Sequence, residues 1–98
     1  VGISIIVQNQ MHHRVDIYSG QVASKLSEMA LAAPKGSMLG EIHAYADTMF
    51  NSFQLNLFLA ELSNMTAEDD SEQEVFDTLS RAAEEAIRCN GYLWFSGD

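Results

Sequence analysis

Glu41, His43, Tyr45 and Asp47 are side chains of the types that hold metals or move protons, and they alternate with Ile42, Ala44 and Ala46. Residues 38–47 read as a strand on that alternation, which sets the four polar side chains on one face with successive members about 6–7 Å apart. A carboxylate and an imidazole at that spacing could approach one metal ion or one small substrate, so the face is a candidate ligand site. The plainer reading is the solvated side of a half-buried strand, which needs polar residues there and nothing more. No second histidine stands at a ligand spacing from His43, so a metal is not implied, and no other feature asks for a cofactor.

Other reactive residues are weaker candidates. His12 and His13 are adjacent, and neighbours in an extended chain point to opposite faces, so an ordinary surface pair is expected. Cys89 is the single cysteine; it can make neither an internal disulfide nor a multi-cysteine zinc site, and a reducing, cytoplasmic compartment fits it. Its place near a helix C-terminus disfavours a thiolate, so it reads as a partly buried structural thiol. No serine lies in a G-x-S-x-G context and no glycine-rich phosphate loop is present, so no catalytic residues are assigned.

The most concentrated chemistry is negative charge. Glu68, Asp69, Asp70, Glu72, Glu74 and Asp77 place six carboxylates within ten residues. They suit a solvated loop and helix start, where the helix dipole favours acids, and they also suit a docking surface for a basic protein. The D-x-[DN]-x-[DN]-G calcium pattern is absent.

These residues must be positioned by a small chain. Its 98 residues suffice for one domain, 1–98, and exclude separate cofactor and substrate lobes. The hydrophobic share of 47% with one proline argues for a folded core and against disorder. A formal net charge of −9 makes nucleic acid and anionic membrane surfaces poor partners. No run approaches the roughly 18 apolar residues of a membrane span, and the opening Val-Gly-Ile-Ser-Ile-Ile-Val reads as a strand rather than a signal peptide.

The order of elements follows from periodicity. Ile3, Ile5 and Val7 alternate as a strand, and Val15 and Ile17 form a second, with a hairpin as the natural pairing. Ser19 is the expected cap of a helix whose apolar positions are Val22, Leu26, Met29, Ala30 and Ala33, with Pro34 and Gly36 ending it. After the strand at 38–47, Asn51 and Gln54 stand at capping-box spacing while Phe50 and Leu55 occupy the positions of a hydrophobic staple. Ser71 and Glu74 predict a second capping box, opening a last helix with Asp77/Arg81 and Glu84/Arg88 as i,i+4 pairs and Asn90-Gly91 as its left-handed stop. Tyr92-Leu93-Trp94-Phe95 is apolar on both faces and belongs inside the sheet, although an exposed edge used for dimerisation is an alternative. The expected fold is α+β, about four strands packed against three helices in the order β-β-α-β-α-α-β.

The run Asp47-Thr-Met-Phe-Asn, with Phe53-Gln54, Leu59, Glu61-Leu62 and the ending 92–98 Tyr-Leu-Trp-Phe-Ser-Gly-Asp, resembles small bacterial proteins of unassigned activity. Some of these look like immunity proteins of toxin systems or accessory proteins carried on mobile gene cassettes. The resemblance covers the second half of the chain. It implies a stoichiometric binder without catalytic residues, whose acidic surface would meet a basic toxin such as a nuclease.

Three functions follow as expectations. The first is an acidic protein-interaction module that binds a basic partner through residues 68–77. The second is a small ligand-binding protein or hydrolase using Glu41, His43, Tyr45 and Asp47. The third is a homodimeric accessory domain whose contact includes Met49 and Phe53.

Overall fold

The computed structural model describes residues 2–97; Val1 and Asp98, which open the first expected strand and close the resemblance, lie outside them. The chain is α+β. Its elements in order are β1 (Ile3–Gln8), β2 (Arg14–Tyr18), α1 (Gln21–Ala32), α2 (Met38–Glu41), β3 (Asp47–Asn51), α3 (Ser52–Ser63), α4 (Asp70–Arg88) and β4 (Tyr92–Gly97).

The four strands form one antiparallel sheet in the order β2-β1-β4-β3. Ile5 stands opposite Phe95, Val7 opposite Leu93, and Phe50 opposite Leu93 on its other side. Ile3, Ile5, Val7, Phe50, Leu93 and Phe95 therefore fill one face, and all are buried against the helices. Phe50, Phe58 of α3 and Phe95 pack as a tilted and edge-to-face trio with centroids 5.3, 5.4 and 6.3 Å apart, geometry that aromatic quadrupoles favour. Leu26 of α1 and Val75, Leu79, Ala82, Ala83 and Ala86 of α4 complete the core, as their helical spacing requires.

The hairpin between β1 and β2 is made by Asn9, whose side-chain oxygen accepts from the backbone N–H of Met11 and of His13. His12 takes the left-handed conformation at φ 62°, and the register shifts at Val7/Gln8. On β2 the apolar Val15 and Ile17 are exposed while Asp16 and Tyr18 are half-buried. At the far end of the chain Asn90 carries the left-handed stop, with φ 50°. Gly91 is required for a different reason: its Cα packs against the backbone of Gln8 and Asn9, leaving no room for a Cβ.

Three expectations about helix starts and strand limits need correction. Residues 38–47 do not form a strand. Met38–Glu41 is a short helix, Ile42–Ala46 is irregular, and the third strand begins at Asp47, where it pairs with β4. The helix turn wins because its first N–H groups are satisfied. Gly40 donates to Ser37 Oγ, and Met38 and Leu39 donate to the two carboxylate oxygens of Glu61. This raises the helices from three to four. Helix α1 is entered through Gly20 rather than Ser19, without a side-chain cap. Helix α4 starts before Ser71: Asp69 is its N-cap, accepting from the N–H of Glu72 at 2.9 Å. The Asn51–Gln54 capping box forms as expected.

Among the described residues neither Asp77/Arg81 nor Glu84/Arg88 closes as an ion pair; Asp77 accepts from Gln73 Nε2 instead, and the pair that forms is Lys25–Glu28 at 3.9 Å.

Candidate functional site

Without a strand at 38–47, the four expected ligand residues do not share a face. Glu41 ends α2, His43 and Tyr45 sit in the irregular segment, and Asp47 opens β3. The burial alternation is nevertheless present, since Ile42 and Ala44 are buried while Glu41, His43 and Tyr45 are exposed. Ala46 breaks it by being exposed.

His43 and Tyr45 do meet at one place. With Leu31, Pro34 and Lys35 they line a shallow, mainly apolar cleft of about 270 Å³ between the end of α1 and the irregular segment. Glu41 and Asp47 do not line it. His43 Nδ1 accepts from the backbone N–H of Tyr45 at 3.2 Å, so in that arrangement its ring proton is on Nε2. In that tautomer Nδ1 is engaged as an acceptor and Nε2–H is a donor. No group of three or more His, Cys, Asp or Glu is placed to hold a metal ion among the described residues.

The acidic segment spans the approach to α4 and the first turns of that helix. Glu68, Asp69, Asp70, Glu74 and Asp77 are exposed and Glu72 is half-buried. Two of these acids also have structural work. Asp69 caps α4, and Glu72 reaches back to accept from the N–H of Glu68. The N–H of Glu72 and the hydroxyl of Ser71, both donating to Asp69, hold its carboxyl below the usual carboxylate range. On β2, burial raises the phenol of Tyr18 above its ordinary value, with the carboxylates of Asp16 and Glu85 adding to the effect.

His12 and His13 are both exposed in the hairpin turn. They are not an equivalent pair, because the His12 ring stacks on Tyr92 at 4.1 Å and 9°, with Nδ1 3.0 Å from Gln8 Oε1. Cys89 is half-buried, its sulfur 3.4 Å from the carbonyl of Ala86.

The surface that residue-by-residue reading missed is the second face of the sheet. The strand register sets Ile17, Ile6, Trp94 and Met49 side by side across all four strands. None of these four is buried, whereas Ile5, Val7, Leu93, Phe95 and Phe50, their neighbours on the other face of β1, β4 and β3, are. The helices pack on the other side of the sheet, and no element covers this row. Its signal was available in part: Ile6 and Trp94 are large apolar residues at positions that alternate away from the core. Met49 belongs to this face, while Phe53 lies on α3 with Leu57, and both of those are exposed.

Comparison with models of known protein families, with curated proteins and with solved structures found no match. No helix of the described residues is long and apolar enough to cross a membrane.

Proposed function

We propose that this chain is a small protein-interaction module, immunity-like or accessory to a mobile element, that binds a basic protein through residues 68–77. One observation carries this reading. Five of the six carboxylates in that segment are exposed at one end of one helix, and no lysine or arginine of the described residues is within ion-pair distance of them. Lys25 acts on Asp69 without pairing with it, and the remaining excess of negative charge steers a cationic partner into contact and is weakened by salt. The single Cys89, without a partner for an internal disulfide, supports a reducing, cytoplasmic setting. The same charge disfavours nucleic acid and anionic lipid.

The test is retention of basic proteins from a bacterial lysate on the immobilised chain at about 50 mM and about 500 mM salt. A second column carries the variant Asp69→Asn/Asp70→Asn/Glu74→Gln/Asp77→Asn, in which Asn preserves the cap. Retention by the native chain at low salt alone is the expected result. Equal retention by the variant, or retention that ignores salt, overturns the proposal.

The cleft beside His43 favours a second reading, a small-ligand site. Its volume lies near the lower limit of about 300 Å³ for such sites, and Lys35 with His43 Nε2–H supplies donors for a carboxylate on an apolar body. Benzoate is a suitable probe. A rise in melting temperature that disappears in His43→Ala supports the reading, and no rise at millimolar concentration removes it.

A further inference from the structure

We propose that the uncovered face of the sheet is the contact surface of a two-fold homodimer, in which Ile6 and Trp94 pack against the same two residues of a second copy and Ile17 and Met49 lie against the rows on either side of them. Three observations carry the inference, none of which depends on the acidic segment.

The first is that one row of this face, between the rows Ser4-Ser96-Asp47 and Gln8-Tyr92-Asn51, is apolar on all four strands and is not buried. Ile17 is 43% exposed and Met49 39% exposed at the two edges, and Val15, on the same side of β2 as Ile17, is 49% exposed. Ile6 and Trp94 occupy the two central strands between them. A contiguous apolar row of this kind marks an association surface.

The second is where the charge is not. The chain carries 14 acids, and like-charge repulsion opposes the approach of two copies over most of its surface. Of the acids on strands, Asp16 stands opposite Val7 and so lies on the helix side, which leaves Asp47, opposite Ser96, on the outer face. The other acids of the described residues belong to helices and their loops. A basic partner would find little to bind on this face, and a second copy would find little to repel it.

The third is the placement of the two charges that flank the row. Arg14, opposite Gln8, marks one corner of the sheet, and Asp47, opposite Ser96, marks the diagonal corner. Neither has an ion-pair partner among the described residues. The corners are separated by three strand spacings across the sheet and by the rise from Gln8 to Ser4 along it, roughly 14 Å in each direction. Because the two offsets are nearly equal, a two-fold axis lying in the contact plane along the other diagonal sets Arg14 of each copy over Asp47 of the other. Both ion pairs form at once, as an isologous contact requires. The two sheets then cross at close to a right angle, one of the two ways in which sheets pack face to face, with Ile6 and Trp94 at the crossing.

The mass of the native chain is measured by sedimentation equilibrium from about 1 µM to about 500 µM, together with the emission of Trp94, the single tryptophan. A dimer is expected, with Trp94 emission moving to shorter wavelength as it forms. Ile17→Lys/Met49→Lys, at positions already exposed, is expected to be monomeric with unchanged circular dichroism. Arg14→Asp is expected to weaken the dimer by at least about tenfold, and Arg14→Asp/Asp47→Arg to restore it, because the charge swap rebuilds both pairs. A native chain that stays monomeric at the highest concentration overturns the proposal, as does a dimer indifferent to these substitutions. A monomer whose Trp94 emission responds instead to a basic peptide or to single-stranded RNA also overturns it and assigns the face to that partner. Retention of basic proteins by residues 68–77 is read on separate variants, so either proposal can fail alone.

Discussion

Glu61 on α3 holds the backbone of Leu39 from across the fold: one carboxylate oxygen accepts from the Leu39 N–H at 3.0 Å while the other accepts from Met38 at 2.8 Å. A charged side chain thus satisfies two of the first N–H groups of α2 from another helix, while Ser37, the cap, takes the N–H of Gly40. Helix α2 in turn places the buried Leu39 and leads into the segment that carries His43. Glu61→Ala leaves both donors half-buried and unpaired, and should lower stability by about 2 kcal/mol. Glu61→Gln keeps one acceptor and should cost less. Urea unfolding of the three proteins checks the order, and equal midpoints would refute it.

Gly91→Ala is expected to be among the most damaging single substitutions in the chain. The added Cβ would meet the Gln8 carbonyl and the Asn9 Cα, both backbone atoms of the adjoining strand and turn, so relief requires parting β1 from β4. A loss of about 3 kcal/mol or more is expected, against a few tenths for Ala60→Ser on the exposed side of α3. Thermal melts of the two variants decide it. A near-native melt for Gly91→Ala would show that the strands separate more easily than their packing implies.

Tyr18 should make the protein sensitive to alkali. Burial and the nearby Asp16 and Glu85 carboxylates disfavour the phenolate, so the folded-state pKa lies above the unfolded one. The resulting stabilisation is fully present below the ordinary phenol value of about 10 and is lost as pH rises through the raised one. Tyr18→Phe cannot ionise. The difference in stability between native and Tyr18→Phe protein should therefore change above pH ~10 in the direction that disfavours the native chain. A constant difference across that range would remove the effect.

Asp69 should act at the opposite end of the pH scale. Its folded-state pKa lies below the unfolded one because Glu72 N–H and the Ser71 hydroxyl bind the carboxylate. The contribution is present above the ordinary carboxyl value of about 3.9 and is lost as pH falls through the lowered one. Asp69→Ala should lower the melting temperature at pH 7 and have less effect near pH 2. Ser71→Ala should be the milder change, since Asp69 rather than Ser71 caps α4. A Ser71→Ala variant less stable than Asp69→Ala would return the cap to Ser71.

Features carried by neighbouring residues were legible in the sequence. Asn51 and Gln54 bond each other's backbone within one turn, the apolar spacing of α4 selects its own buried side, and Asn90 stops that helix through its own φ. The β-β-α-β-α-α-β order, apart from the added α2 and a third strand that lies at 47–51 rather than 38–47, and the interior place of Tyr92-Leu93-Trp94-Phe95 follow from the same local rules. The alternation of residues 42–45 matches the burial of Ile42 and Ala44 but does not make a strand, because a strand also needs a partner with free N–H and C=O groups. Trp94 and its neighbours on β4 pair with residues 47–51 instead, while Glu61, more than twenty residues away, supplies the bonds that turn 38–41 into a helix. The outer face has the same origin. Ile6, Ile17, Met49 and Trp94 are scattered through the chain, and their own neighbours dictate only which way each points. Strand order and register, set by long-range pairing, bring the four into one row, and the packing of every helix on the opposite side leaves that row open.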